Sequence, residues 1–256
     1  MRRAGFTFLI AAGLSLGLSA AALAADMAVK APPPAPLFDW TGWYGGVNTG
    51  YSWGRSRATT YSPPLLGATY TESAAHHGWE ASVEGGYCWQ NTTTAMVACI
   101  EARYDFPKER SGQTSIGIPL TTITNTTDVD PFLIGPHLGY LTDSNHMMWY
   151  AAGGLAVGEI SGSSTATGTG GTSTATPGNK TTTGWFVGAG IERMIDQHWS
   201  LKAEYDYVRF ASNGVTAPYI GTNYATFTGS GSTATLGGHA YDNVVTVGIN
   251  YHLGTH

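Results

Sequence analysis

Three groups of residues in this sequence are of types that carry chemistry. His198-Trp199-Ser200 sets an imidazole two positions from a hydroxyl, with Asp196 close by. A lipid acyl hydrolase needs such a serine, activated by a histidine base that a carboxylate orients. His76 and His77 lie between Glu72 and Glu80, and these types bind metal ions. Cys88 and Cys99 are the two cysteines of the chain, so they form one disulfide or remain as two free thiols. The glycine-rich stretches are not phosphate loops, because none has the G-x-x-x-x-G-K-S/T or G-x-G-x-x-G pattern between a strand and a helix. A net charge of −5 offers no basic surface, which excludes nucleic acid as a partner.

The elements that would position these groups weaken the first two readings. Val245, Val247, Ile249, Tyr251 and Leu253 alternate with Thr246, Gly248, Asn250 and His252, and Val47, Thr49, Tyr51 and Trp53 alternate with small or polar residues. Period-two alternation marks strands with one apolar face. Eight such stretches follow one another: Gly42–Trp53, Gly78–Trp89, Ala95–Phe106, Asp130–Thr142, Met147–Ile160, Thr183–Ile195, Ser200–Phe210 and Asp242–Leu253. The connections alternate between short (90–94, 143–146, 196–199) and long (55–77, 107–129, 161–182, 211–241). The pattern predicts an all-β fold: an eight-stranded antiparallel transmembrane β-barrel with short periplasmic turns and four long extracellular loops. His76 and His77 then fall on an extended loop with their side chains on opposite sides, a solvated pair rather than a metal site. Ser200 falls at a periplasmic turn with only Asp196 to orient a base. Neither a catalytic site, nor a metal, nor a cofactor is expected.

Arg2 and Arg3, the uncharged stretch from Phe6 to Leu23 and Ala22-Leu23-Ala24 read as a cleaved export signal over residues 1–24. The rival reading, a helical anchor, fits poorly with the small-residue end and the cleavage motif. Residues 25–39 carry Pro32, Pro33, Pro34 and Pro36 and read as an extended periplasmic tether. Residues 40–256 remain as one barrel domain. Charged residues make up only 11% of the chain while aromatics reach 12% and glycines number 35, which suits an apolar band with aromatic girdles. The third long loop, Gly162 to Gly171, is nearly uncharged and low in complexity. It reads as a mobile, solvated loop that buries no core, with a variable surface segment as the rival reading.

The faces can be tested hairpin by hairpin. If Cys88 lies opposite Cys99, then Glu84 faces Arg103 and Ser82 faces Asp105, while Tyr87 meets Ile100 and Val83 meets Tyr104 on the other face. One register thus gives a disulfide and an opposite-charge pair inside and apolar pairs outside. If Glu192 pairs with Lys202, Gly190 faces Glu204. The inward polar set becomes Glu80, Glu84, Glu101, Arg103, Asp105, His137, Glu192, Lys202, Glu204 and Asp206. Interleaved glycines, such as Gly188 and Gly190, make room for it. Outward aromatics at the membrane interfaces are Trp43, Trp79, Tyr140, Trp149, Trp185 and Tyr251. Pro131 and Pro136 are awkward inside a ladder. An eight-stranded barrel has room inside only for its own side chains, so the inward charges read as a structural plug, with a narrow water or ion path as the rival.

The stretch Trp40-Thr41-Gly42-Trp43-Tyr44-Gly45-Gly46-Val47-Asn48-Thr49-Gly50-Tyr51-Ser52-Trp53-Gly54 follows Ala25-Asp26-Met27-Ala28-Val29-Lys30-Ala31-Pro32-Pro33. It resembles the opening of the small alphaproteobacterial outer-membrane immunogenic proteins, the porin-family β-barrel proteins. Val187-Gly188-Ala189-Gly190-Ile191-Glu192, Trp199-Ser200-Leu201-Lys202-Ala203-Glu204-Tyr205 and Val247-Gly248-Ile249-Asn250-Tyr251 are similar to that family too. The resemblance implies an eight-stranded barrel of the Gram-negative outer membrane that supports envelope integrity, is exposed as a surface antigen and has no catalytic site. Two features depart from the family pattern. The cysteine pair is extra, and Leu253, trailed by Gly254-Thr255-His256, stands where an aromatic usually ends the barrel. That aromatic is associated with recognition by the barrel-assembly machinery, so insertion is expected to be less efficient.

The expected function is therefore structural: a barrel that supports the cell envelope and presents antigenic loops. The alternatives are a narrow, low-conductance porin for small solutes or ions and, less in keeping with the residues, a lipid-modifying enzyme. Expected partners are outer-membrane lipids and lipopolysaccharide, the barrel-assembly machinery and periplasmic chaperones during biogenesis, and host or phage surfaces at the loops.

Overall fold

The computed structural model describes residues 38–62, 68–91, 93–106, 114–118, 121–168, 171–211, 214–221 and 232–253. The expected export signal and most of the expected tether lie outside the described residues. The described chain holds twelve strands: β1 (Gly42–Ser62), β2 (Ala68–Asn91), β3 (Met96–Phe106), β4 (Thr114–Ile118), β5 (Thr121–Thr142), β6 (Met147–Gly168), β7 (Gly171–Ala175), β8 (Lys180–Met194), β9 (Trp199–Phe210), β10 (Val215–Pro218), β11 (Ile220–Gly221) and β12 (Thr233–His252). Eight of them close a ring, each antiparallel to its neighbours, in the order β1, β2, β3, β5, β6, β8, β9, β12 and back to β1. Closure runs from Tyr44 opposite His252 to Arg55 opposite Tyr241. A ring has no free edge, so every ladder hydrogen bond of its membrane-level strands is made inside the protein, as a bilayer demands. No described helix is long and apolar enough to cross a membrane, and here the strands do so.

Alternation sets the two faces. On β3 every second residue from Val97 to Asp105 is buried, while Met96, Ile100, Tyr104 and Phe106 face outward. Trp43 and Trp53 on β1, Trp79 and Trp89 on β2, and Tyr241 and Tyr251 on β12 stand ten positions apart. At ~3.3 Å per residue and a strand tilt of ~40°, ten residues rise roughly 25 Å, the height of the apolar band of an outer-membrane barrel. The turns at residues 93–95, 143–146 and 195–198 mark the periplasmic end. Asp143, Ser144 and Asn145 all have positive φ, a conformation that Asp and Asn accept more readily than other side chains. Asp196 accepts the N–H groups of His198 and Trp199 at 2.8 and 2.9 Å, and these bonds hold its carboxyl below the usual aspartate range.

Three expectations change at the extracellular end. The sheet does not stop at the membrane: β1, β2, β5, β6, β8 and β12 run past it, and β4, β7, β10 and β11 pair with these extensions or with one another. Residues 161–168, expected to be a mobile loop with no core, are the upper part of β6, paired with β5 and β7. There Ala166 joins Ile123, Ala175, Ala217, Tyr219 and Ala234 in a second small core. His76 and His77 likewise lie in β2 rather than in a loop. They do point to opposite sides, His76 inward and His77 outward. At the other end Phe38 and Trp40 are buried against each other. Both prolines sit within β5. The β5–β6 ladder passes over Gly135 and Pro136 without changing register, which spares Pro136 the N–H it lacks.

Candidate functional site

The buried polar residues gather inside the ring. All ten inward residues named from the sequence are buried: Glu80, Glu84, Glu101, Arg103, Asp105, His137, Glu192, Lys202, Glu204 and Asp206. The hairpin registers set them there, with Cys88 opposite Cys99, Glu84 opposite Arg103 and Glu192 opposite Lys202. Cys88 and Cys99 are joined by a disulfide. The six interfacial aromatics, Trp43, Trp79, Tyr140, Trp149, Trp185 and Tyr251, all lie exposed on the outer face.

Register neighbours are not the ion-pair partners, which corrects the pairing expected from the hairpins. Arg103 on β3 reaches across the ring to β9, where its Nη1 donates to Glu204 and to Asp206 at 2.7 Å each, while its Nε donates to Asp105 at 3.0 Å. Lys202 on β9 reaches back the other way. Its Nζ lies 2.9 Å from Glu84 on β2, 3.0 Å from Glu101 on β3 and 3.1 Å from Glu204 on its own strand. In the ring β3 and β9 are diametrically opposed, so the two cations tie opposite walls together.

Two tyrosines complete this centre. Tyr44 donates to Glu101 at 2.6 Å and Tyr150 donates to Glu204 at 2.5 Å. Each lies beside an inward glycine in register, Gly86 for Tyr44 and Gly190 for Tyr150. A Cβ at Gly86 would sit 2.7 Å from the Tyr44 hydroxyl, and one at Gly190 would sit 2.3 Å from that of Tyr150. The His137 ring stacks on Tyr150 with centroids 5.2 Å apart. Asn48 donates to Glu84 at 2.7 Å. Ligand atoms of Glu101, His137 and Glu204 lie within 4.8 Å of one another, a spacing that could hold a metal ion. The ammonium of Lys202 already stands against both carboxylates and fills the place such a cation would take.

A second cluster closes the periplasmic end. The His198–Ser200 pairing that catalysis would need is not formed: His198 stacks on the outward Tyr251 with centroids 5.5 Å apart, whereas Ser200 is wholly buried inside. The imidazole that meets Ser200 is His252, 3.1 Å away through Nε2. Glu192 accepts from Ser200 and approaches the same His252 nitrogen at 3.2 Å. A charge-relay arrangement requires the acid on the other ring nitrogen. The site is also shut from below. Trp40 packs edge-on to His252 at 5.3 Å, Tyr44 stacks on it at 5.5 Å, and Trp40 is pinned by bonds to Gln90 and to the carbonyl of Asn145 at 2.8 Å each. Periodicity could not single out His252 here, because its partners Trp40, Tyr44, Glu192 and Ser200 come from other strands and from the segment before β1. Above the centre, His76 meets Asp242 at 2.8 Å.

A family profile for the outer membrane protein beta-barrel domain matches residues 10–217. The chain belongs to that family. Within it, the 31 kDa outer-membrane immunogenic protein of Brucella melitensis biotype 1 is 32% identical over 77% of this chain and 85% of its own length. The 25 kDa outer-membrane immunogenic protein of Brucella canis is 25% identical over 80% of this chain and 85% of its own. The crystal structure of the outer membrane protein OprG from Pseudomonas aeruginosa shares the fold at a TM-score of 0.51 and 11% identity, covering 86% of this chain and 100% of that one. The protein is an outer-membrane β-barrel of the immunogenic-protein family, and its place is the outer membrane.

Proposed function

We propose that this barrel serves the envelope mechanically, as a closed post in the outer membrane that presents its extracellular strands and loops as a surface antigen. The observation that carries this reading is the cross-lumen tie of Arg103 and Lys202 to Glu84, Glu101, Glu204 and Asp206. Buried charges are stable only when paired and hydrogen-bonded, and here the pairing spans the interior from wall to wall. A side chain held by three carboxylates is a strut and does not act as a gate that swings at little cost. The exposed aromatics anchor the post at the two interfaces. The antigenic part of the reading draws on the names of the Brucella relatives. Catalysis is set aside because Ser200 shares one histidine nitrogen with Glu192 and is wholly buried, so no substrate carbonyl could approach it.

One observation favours a narrow cation path instead. Among the described residues, eight buried carboxylates (Glu80, Glu84, Glu101, Asp105, Glu192, Glu204, Asp206 and Asp242) face two buried cations, Arg103 and Lys202. Single-channel recording in a planar bilayer decides between the two. The protein is refolded, and its fold is checked by the heat-dependent gel shift. A silent bilayer is expected. Reproducible cation-selective steps that change in Lys202→Met would overturn the closed post and establish the path.

A further inference from the structure

The outer wall carries a cluster of three arginines. Arg55 on β1 lies opposite Tyr241 on β12, and Tyr241 lies opposite Arg209 on β9. The three form one row across adjacent strands, and strands ~4.8 Å apart put the two arginine backbones about 10 Å from each other. Arg57 stands two positions further up β1, opposite Ser73 of β2. All three arginines are exposed. Together with Ser73, Tyr207 and Tyr241 they line a depression of about 360 Å³.

Two observations point to what fills it. First, the cluster has no counter-charge of its own among the described residues. Arg103, Lys202 and Arg193 each have a carboxylate partner, but among the described residues no carboxylate ion pair reaches Arg55, Arg57 or Arg209. Three guanidinium groups held together without a counter-charge repel one another, and most strongly where an apolar phase limits screening. Second, the height is specific. Arg55 and Arg57 come two and four positions above Trp53, and Arg209 comes two positions above Tyr207. Tyr207 stacks on Tyr241 with centroids 6.1 Å apart, and Trp185 packs on Tyr207 at 5.7 Å. The arginines therefore crown the upper aromatic belt, at the level where acyl chains give way to head groups.

We infer that Arg55, Arg57 and Arg209 form a binding site for the phosphorylated sugar head of an outer-leaflet glycolipid, the lipid A part of lipopolysaccharide. The planar guanidinium donates two parallel N–H bonds to a phosphate. The Tyr207 and Tyr241 rings offer a flat surface to the sugar, and the apolar wall beneath them takes the acyl chains. Neither the closed-post reading nor the cation path enters this argument, because the patch lies on the opposite side of the wall from the lumen.

The test uses the full chain, refolded in zwitterionic detergent and titrated by calorimetry with diphosphoryl lipid A, with lipid A stripped of phosphate, and with inorganic phosphate. The triple variant Arg55→Gln/Arg57→Gln/Arg209→Gln is expected to bind diphosphoryl lipid A at least roughly tenfold more weakly, since the charge-assisted bonds to phosphate are lost. Lys180→Gln, which removes an exposed extracellular cation outside the patch, is expected to bind as the natural protein does. Should the triple variant fail the gel-shift check, the single Arg57→Gln, expected to lose about threefold, takes its place. Unchanged affinity in the arginine variants overturns the site. Equal binding of phosphate-free lipid A overturns the role of phosphate. Equally tight binding of inorganic phosphate makes it a free-anion site and overturns the glycolipid.

Discussion

The barrel has two interiors that are built on opposite terms. At membrane level the lumen holds charged groups, bound wall to wall through Arg103 and Lys202, with Tyr44 and Tyr150 filling the gaps beside Gly86 and Gly190. Above the membrane the continuation holds small neutral residues around Ile123 and Tyr219, whose hydroxyl lies 2.5 Å from Ser164 and 3.4 Å from Thr60. Burial raises the pKa of that phenol, and its bonds to Ser164 and Thr60 partly offset the rise. In the first interior every group depends on the others, because an unpaired charge there is costly. The second depends on ladder hydrogen bonds and on a little apolar surface, so its parts can change nearly independently. The surface that faces outside cells is thus built on the tolerant terms, and the part that must not leak or loosen on the exacting ones.

Four substitutions or titrations sharpen that contrast. Lys202→Met leaves Glu84, Glu101 and Glu204 facing one another without their shared cation. It should cost about 3–5 kcal/mol in a urea titration of the folded band, and a cost below about 1 kcal/mol would mean that the charges do not lock the lumen. Gly190→Ala drives a methyl group into Tyr150 and the Ala203 carbonyl. A loss of about 1–3 kcal/mol is expected in the same titration. Tyr219→Phe removes one hydroxyl from the upper core. It should cost about 1 kcal/mol, seen as faster hydrogen exchange in 161–168 while the global midpoint stays put. A shift of the midpoint would show the two interiors to be one cooperative unit. The smallest effect concerns Asp196. Its folded carboxyl titrates below its unfolded value, so its support of the periplasmic turn is present above the unfolded pKa and fades as pH falls through the folded one. An NMR titration giving an ordinary aspartate value would remove that support.

The membrane-level fold could be read from the sequence because lipid outside and charge inside give alternation its full contrast. The Cys88–Cys99 register alone fixed Glu84 beside Arg103 and Val83 beside Tyr104. The extracellular strands could not be read so, since residues 161–168 carry serine and threonine on one face and glycine, serine and alanine on the other, and small residues on both sides leave the period-two signal without contrast. The ion pairs were hidden for another reason. A hairpin register reports only adjacent strands, whereas Arg103 to Glu204 and Lys202 to Glu84 exist only once the ring has closed. His252 escaped notice in the same way. Its partners Trp40, Tyr44, Glu192 and Ser200 come from distant parts of the chain.

The seam between β1 and β12 joins residues near the two ends of the chain, from Tyr44 with His252 to Arg55 with Tyr241. Until the last strand has left the export channel, β1 and whichever strand came latest both expose an unpaired edge, and exposed edges invite other chains. Pairing across such a span is also slow to be found. The unfinished protein must therefore be kept from its neighbours throughout its passage. A chain cut short before Tyr241 would be left with a permanently adhesive β1, which makes premature termination more dangerous to the cell than most single substitutions.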